Sequence, residues 1–399
     1  MSKMSDDDKN NDKCKGCLIA VVTKSNRQLK NIIFVFLCFF FANLTVLAID
    51  IAPLDFHTNN KNGEGFYYVG NMIESRYNHS AVKLKDGRIF IAGGTLLDST
   101  EVFDVKTGKS TKGPKMSHER ANPLLFLLKN GNVLILGQMT FSSTNKIDVY
   151  NPTTNTILNI GEIDIPYCSF NKNTALVIEL NNDKILITSL NFLFDNLFEY
   201  NLTNNEFKKI NTNKKLIDNK KYTLDNSYIA QLEDYLYILN KRTGTIIKTE
   251  INNLGKINAK TDLYVHKYFR YLDNKFVVLD DFKKVLFFKS NSIHFFDFET
   301  GNYTDVCCPV NFQPQYMRKI FTLNNNNILI ISYKYPDKSY KLIEFNPSTK
   351  EIITKKYHYS NANAEILEID KGKILFIGGK IPQRSKSNKK IYVWKEGNI

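Results

Sequence analysis

The sequence lacks several features that mark common enzyme and secreted-domain classes. It has six cysteines in 399 residues, too few and too irregularly spaced for a disulfide framework. It contains no G-x-S-x-G sequence, no phosphate-binding P-loop and no glycine-rich dinucleotide fingerprint. Long stretches of helical periodicity are also absent after about residue 65. These absences argue against a serine hydrolase, a nucleotide-binding enzyme and a helical bundle.

Metal-ligating and acid–base groups are sparse as well. The chain has six histidines, which are scattered and do not show the spacing of metal ligands. Cys14 and Cys17 form a C-x-x-C pair in a polar tail without histidine, so a metal site there would need two further ligands. The sequence therefore predicts no catalytic residue, no metal and no cofactor.

The positive charge of the chain is large but dispersed. The formal net charge is +14 at pH 7, and many lysines occur in pairs beside Asn and Asp. Such pairs are typical of solvated loops, and a face that binds an anionic ligand is the alternative interpretation. Nucleic acid is not an expected partner if the main domain lies outside the cytoplasm.

An apolar run near the N-terminus predicts a membrane segment. Residues 32–49 carry no charge, and the length of this run is close to that of a bilayer-spanning helix. Lys and Arg precede the run, whereas Asp50 and Asp55 follow it, so the positive-inside rule places the N-terminus in the cytoplasm. We predict a cytoplasmic tail (1–31), a transmembrane signal anchor in contact with the lipid bilayer (32–50), a linker (51–64) and an extracytoplasmic domain (65–399).

A signal peptide is the alternative to the anchor. Val46 and Ala48 form a V-x-A cleavage site, and cleavage after Ala48 would release the domain as a secreted protein. The long charged region and the long apolar region both favour the uncleaved anchor.

From residue 65 a strand–turn–strand pattern recurs. Each copy has an apolar strand, a polar turn and a second apolar strand, which is typical of a β-hairpin. The second strands recur at intervals of 43 to 52 residues, at Ile89, Val133, Ile185, Leu236, Val285, Ile328 and Ile374. In most copies an aromatic-containing strand and another polar turn follow, as in "VFDVKTGK" and "VYNPTTNT". A unit of about four strands in this length has the size of a propeller blade.

The segment "RYNHSAVKLKDGRIFIAGG" and its continuation resemble the kelch-repeat family, including the central propeller of galactose-oxidase-type proteins. The resemblance covers about residues 65–397 and is weakest between about 210 and 290. It implies an all-β, kelch-like β-propeller of four-stranded blades. The recurring units predict seven blades, with six as the alternative, after the one transmembrane helix that the apolar run predicts. The repeat-motif residues that carry it are Arg76, His79, Asp86, Gly87, Gly93, Gly94, Asp104, Thr107, Gly108, Arg120, Gly131, Gly378, Gly379 and Trp394.

Three structural expectations follow from the repeat. Gly65 to Met72 forms a lone strand that should complete the last blade, formed by about residues 362–397. The double glycines should allow close approach of neighbouring backbone, and His79 should hydrogen-bond between strands or blades. The fourth and fifth units remain open, since a strand can be missing there.

The predicted function is that of a membrane-anchored module that binds a protein partner outside the cytoplasm. The alternatives are a glycan-binding propeller and a hydrolase or oxidase with its site at the mouth of the channel. A cluster of His, Tyr and carboxylates at one channel end would favour the enzyme.

Overall fold

The computed structural model describes a β-rich unit that starts at residue 64. The described residues are 64–137, 145–163, 175–180, 183–189, 197–210, 227–232, 235–240, 245–250, 262–265, 274–279, 284–289, 292–297, 303–307, 317–334, 339–381 and 387–397. The predicted tail, the membrane segment 32–50 and the linker up to residue 63 lie outside them. Within the described residues there is no helix, and so none that is long and apolar enough to cross a bilayer.

The described strands form seven four-stranded antiparallel sheets, numbered here in chain order. Sheet 1 contains β2 (Ser80–Lys83), β3 (Ile89–Ala92), β4 (Thr100–Asp104) and β5 (Lys109–Lys112). Sheet 2 contains β6 (Leu124–Leu127), β7 (Val133–Leu136), β8 (Asn145–Asn151) and β9 (Thr156–Ile163). Sheet 3 contains β10 (Ala175–Glu179), β11 (Lys184–Ser189), β12 (Leu197–Asn201) and β13 (Phe207–Ile210).

The remaining four sheets continue the same order. Sheet 4 contains β14 (Ser227–Leu232), β15 (Tyr235–Asn240), β16 (Thr245–Glu250) and β17 (Asp262–Val265). Sheet 5 contains β18 (Asn274–Leu279), β19 (Lys284–Lys289), β20 (Ser292–Asp297) and β21 (Tyr303–Cys307). Sheet 6 contains β22 (Met317–Thr322), β23 (Ile328–Lys334), β24 (Ser339–Phe345) and β25 (Ile352–Tyr359). Sheet 7 contains β26 (Glu365–Asp370), β27 (Lys373–Ile377), β28 (Asn388–Lys395) and the N-terminal strand β1 (Gly65–Arg76).

The four-stranded repeat predicted from the sequence is confirmed. All seven anchor residues, from Ile89 to Ile374, lie in the second strand of a sheet. The fourth and fifth units are also complete, although the sequence left them open. In the fourth unit, the Thr-Gly pair precedes the third strand β16 and so falls one turn earlier than in the first unit.

Apolar clusters join successive sheets. One buried cluster contains Phe90 of sheet 1 and Tyr150 of sheet 2, whose rings stack with centroids 4.0 Å apart. Further clusters join sheets 2 and 3, sheets 5 and 6, sheets 6 and 7, and sheets 7 and 1. The first strand of sheet 1 contacts the first strands of both sheet 2 and sheet 7. A four-stranded sheet with two apolar faces needs a neighbouring sheet on each face. The contact between sheets 7 and 1 gives the first and the last sheet in chain order their second neighbour.

Pairing of β1 with β28 closes the arrangement. The two strands are antiparallel, with Phe66 opposite Trp394, so the first described strand completes the last sheet as expected. Both side chains are buried in the cluster between sheets 6 and 7. The two ends of the described chain are thus held in one sheet.

The turn between the first and second strands explains the Asp-Gly and Asn-Gly pairs of the sequence. In sheet 1 the N–H of Leu84 donates to the carbonyl of Arg88 (2.8 Å), and Gly87 has a φ of 87°. Asp86 Oδ1 accepts from the N–H of Arg88 (2.9 Å), which stabilises the same turn. Gly131 has the equivalent place in sheet 2, with a φ of 93°. A residue without Cβ adopts this left-handed conformation at low cost, which is why glycine recurs there.

The turn between the third and fourth strands has a similar explanation. Asp104 Oδ1 accepts from the N–H of Lys106 (2.8 Å), and the N–H of Gly108 donates to the Asp104 carbonyl (2.9 Å). The hydrogen bond from Lys106, supported by one from Thr107, keeps the pKa of Asp104 below its usual value. Gly108 has a φ of 70°, and Asn155 has the same left-handed conformation in sheet 2. The recurring aromatic-Asp/Asn motif therefore encodes a turn.

Candidate functional site

Arg76 joins sheet 7 to sheet 1. It lies at the end of β1, and only 1% of its surface is exposed. Its Nε donates to Glu101 Oε1 (2.8 Å), and one terminal nitrogen donates to the carbonyls of Gly93 (2.8 Å) and Ser99 (3.0 Å). All three partners belong to sheet 1 or its loops, so the guanidinium has a structural role in this junction.

Arg120 repeats this arrangement between sheets 1 and 2. Its side chain is fully buried and donates to Asp148 Oδ2 (2.8 Å) and to the carbonyl of Gly137. Burial alone would raise the pKa of Asp148, but the charge of Arg120 and the hydrogen bonds from Ser117 and Asn159 lower it overall. The carboxylate is therefore ionised at neutral pH and pairs with the buried guanidinium.

The glycine pairs contact the same arginines through the backbone. The N–H of Gly94 donates to the carbonyl of Arg120 (2.9 Å), and that of Gly379 donates to the carbonyl of Arg76 (2.8 Å). A Cβ at Gly93 would lie 2.4 Å from the Arg120 oxygen, and one at Gly378 would lie 2.8 Å from the Arg76 oxygen. Each arginine thus bonds one sheet with its side chain and the preceding sheet with its carbonyl.

A tyrosine replaces the arginine between sheets 6 and 7. The hydroxyl of Tyr359 donates to the Gly378 carbonyl (2.9 Å) and accepts from the Asn361 side chain (2.9 Å). Trp394, in the same part of the structure, is completely buried. His79 is likewise fully buried at the start of β2, and it lines neither of the two cavities described below. The motif residues therefore belong to the scaffold.

The first cavity lies where the innermost strands of four sheets begin. Its volume is about 430 Å³, and it is lined by the entry residues of β2, β6, β22 and β26 from sheets 1, 2, 6 and 7. The size is within the usual range of ligand pockets, about 300–1,000 Å³. The lining residues are Asn78, Ser80, Ala81, Asn122, Pro123, Leu124, Leu125, Arg318, Lys319, Tyr340, Asn363, Ala364, Glu365 and Ile366.

Three asparagines with the same backbone conformation surround this cavity. Asn78, Asn122 and Asn363 have φ values of 56°, 52° and 54°, and each stands two residues before an innermost strand. The N–H of Asn122 donates to the carbonyl of Asn78 (2.6 Å), which links two neighbouring sheets at the cavity rim. Asparagine adopts the left-handed conformation more readily than most residues, so one residue type serves both the turn and the rim.

Charged and aromatic groups complete the wall. Lys319 Nζ lies 3.9 Å from the buried carboxylate of Glu365, and the Arg318 guanidinium lies 5.8 Å from the ring centre of Tyr333. Burial raises the pKa of the neighbouring Tyr340, so its phenol is neutral at physiological pH. The cavity therefore offers amides, two cations, one carboxylate and an aromatic ring.

A second cavity, of about 630 Å³, lies at the opposite ends of the innermost strands. Lys83 Nζ lies 3.2 Å from Asp370 there, and burial raises the pKa of Glu368. Both lysines and both acids of this cavity lie near the exit of β2 and β26. No group of three or more His, Cys, Asp or Glu that could hold a metal ion occurs within the described part of the chain.

Solved structures with similar folds were found. One is a catalytically inactive virginiamycin B lyase from Staphylococcus aureus with quinupristin, 14% identical, with a TM-score of 0.54 over 83% of this chain and 99% of that one. Another is the extracellular domain of the hybrid two-component system BT4673 from B. thetaiotaomicron, 9% identical, with a TM-score of 0.53 over 86% of this chain and 44% of that one. YjhT is 12% identical, with a TM-score of 0.45 over 72% of this chain and 99% of that one.

The fold is a β-propeller. No protein-family model and no curated protein matches the sequence. At this level of identity the first two structures establish the fold, and they do not establish an activity for this chain.

The asparagines and cations of the first cavity were not identified from the sequence. The recurring signal was present, because an Asn stands two residues before three of the innermost strands. It was hidden by the high overall Asn content of the loops. The position of Arg318 and Lys319 could not be inferred, since the sixth unit lacks both the R-x-x-H motif and the double glycine that mark the first unit.

Proposed function

We propose that this chain is a kelch-type propeller of seven blades that is anchored in a membrane and binds a partner outside the cytoplasm. The observation that carries the proposal is the first cavity, a recess at the entry ends of the innermost strands whose rim amides Asn122 and Asn363 form no side-chain hydrogen bond within the described residues. Partner binding through loops held by a rigid scaffold is common in folds of this kind. A protein is the first candidate partner.

The amides of the rim favour a glycan as the second candidate. A carboxamide both donates and accepts hydrogen bonds, which suits the hydroxyl groups of a sugar. An enzyme is the less supported alternative, because the described lining residues include no histidine, and Glu365, the one carboxylate among them, lies beside Lys319.

Crosslinked co-purification of the full-length protein from its own membranes tests the proposal. The variant Asn363→Gly removes one rim amide while keeping the left-handed turn, and Asn326→Gly is the matched control at the opposite channel end. We expect a partner that is recovered near stoichiometry with the control and is reduced with Asn363→Gly. Equal recovery with both variants would place the binding surface elsewhere.

Limited proteolysis of sealed cells tests the topology. The proposed orientation exposes residues 64–399 to protease added outside, whereas the tail 1–31 stays protected. Protection of the propeller, while an external control protein is cut, would contradict the orientation.

A further inference from the structure

The first cavity has side chains that the fold itself does not use. The carboxamides of Asn122 and Asn363 form no hydrogen bond with any part of the chain that the structure describes. Asn78 uses its Nδ2 on Thr95 Oγ1 (3.2 Å), which leaves its amide oxygen as an acceptor. Asn122 is half-buried, so leaving its amide unbonded is unfavourable unless water or a ligand binds it. Polar groups in this position indicate a site for a ligand with several hydrogen-bonding groups.

The mixture of groups narrows the chemical class of the ligand. Amides pair well with hydroxyls, because both groups can donate and accept. The ring of Tyr340 and the side chains of Leu124 and Leu125 offer apolar contact on the same wall. Sugars combine hydroxyl groups with apolar C–H faces, so they match both parts of the wall.

The charges add one further property. Arg318 and Lys319 bring two positive charges to the cavity, whereas Glu365 brings one negative charge. Glu365 is buried and forms an ion pair with Lys319, whose Nζ lies 3.9 Å from its carboxylate. Among the described lining residues, cations therefore outnumber carboxylates by one, and an anionic group on the ligand would balance this excess.

We propose that the first cavity binds an acidic sugar, a hydroxylated ring that carries a carboxylate, with Arg318 and Lys319 facing the carboxylate and the rim amides bonding the hydroxyls. The inference rests on the proposed function, since it names the chemistry that the recess recognises. The sugar can be free or can belong to a glycan on the partner protein. Both sources share the same recognition groups.

Calorimetric titration of the full-length protein in detergent with trigalacturonic acid tests the inference. Its methyl ester is the matched ligand, because it keeps the hydroxyls and loses the negative charges. The site variants are Arg318→Gln and Asn122→Gly, and glycine keeps the left-handed turn of Asn122. The controls are Lys389→Gln, an exposed lysine of β28, and Asn326→Gly at the other channel end.

We expect saturable binding of trigalacturonic acid and about tenfold weaker binding of the ester, since a hydrogen bond to a charged group contributes about this factor. Each site variant should weaken binding by a similar factor, and the controls should match the unchanged protein. Absence of binding, equal affinity for acid and ester, or unchanged affinity in both site variants would overturn the inference.

Repeating the membrane co-purification in excess trigalacturonic acid separates the two proposals. Loss of the partner would assign the acidic sugar to a glycan on that partner. Retention of the partner together with direct sugar binding would assign it to a free saccharide. If a partner is recovered, and the sugar neither binds the protein nor displaces that partner, the acidic-sugar inference is overturned and the proposed function stays intact. If the protein binds the sugar but no partner is recovered, the acidic-sugar inference stands and the proposal of a partner is contradicted.

Discussion

Removing the carboxylate of Asp148 should destabilise the protein more than any change to an exposed ion pair. The carboxylate accepts hydrogen bonds from Arg120, from the Asn159 side chain, and from both the backbone and the hydroxyl of Ser117. In Asp148→Ala, the fully buried guanidinium of Arg120 loses its counter-charge. Leaving one buried charge unpaired costs about 3–5 kcal/mol, so we expect a loss of this size in the free energy of unfolding.

The pair itself contributes less than this loss suggests. Replacing both members by apolar residues of similar size avoids the unpaired charge. The double variant Arg120→Met/Asp148→Leu should therefore be less destabilised than the sum of the two single variants. It still lacks the donor to the Gly137 carbonyl, and this unpaired group should keep it about 1–3 kcal/mol below the natural protein.

Urea unfolding followed by fluorescence measures these differences. Trp394 is the one tryptophan of the chain, and it is buried in sheet 7, away from Asp148 in sheet 2 and Arg120 in the loop before that sheet. Lys115→Ala, which breaks the exposed pair with Asp98, is the matched control and should leave the midpoint unchanged. A midpoint for Asp148→Ala that equals the control would refute the structural role assigned to the pair.

Three further predictions concern the same scaffold. Gly93→Ala should destabilise the protein more than Gly87→Ala, because both positions have positive φ but only at Gly93 would the Cβ meet a backbone oxygen; thermal unfolding checks the order. Burial and then the charge of Arg120 lower the pKa of His118 to about 4, so folding favours the neutral imidazole. The contribution of His118 to stability therefore declines as the pH falls from about 6.5 towards 4. His118→Gln should flatten the pH profile of the unfolding midpoint in that window, and an unchanged slope would contradict this. Deleting residues 64–76 should expose β28 as a sheet edge and promote association, which light scattering would detect; a stable monomer would show that β1 is dispensable.

The sequence predicted the repeat because turn chemistry is local. Gly87, Gly108 and Gly131 each have a backbone conformation that side chains disfavour, so glycine marks these turns. The fourth unit was harder to predict, since its Thr-Gly pair precedes a different strand. The first cavity could not be predicted, because its residues come from four sheets and meet only when the ring of strands forms. The arginine partners were also hidden: Glu101 and Asp148 are 25 and 28 residues away from Arg76 and Arg120.

Among the described residues, the junctions with buried arginine hydrogen bonds lie beside the closure of the ring, and a physical reason connects the two. Pairing β1 with β28 joins Phe66 to Trp394, which lie near opposite ends of the described residues, and closing so long a loop has a large entropy cost. The arginines and paired glycines occur between sheets 7 and 1 and between sheets 1 and 2, where their buried hydrogen bonds offset this cost.

The first cavity is formed by sheets 1, 2, 6 and 7, so it lies across the same closure. A ligand bound there as proposed would contact both sides of the closing junction and would be lost when the ring opens. By linkage it should stabilise the closed form in proportion to the logarithm of its concentration above the dissociation constant. The proposed recognition of a ligand in this recess would therefore reinforce closure of the propeller.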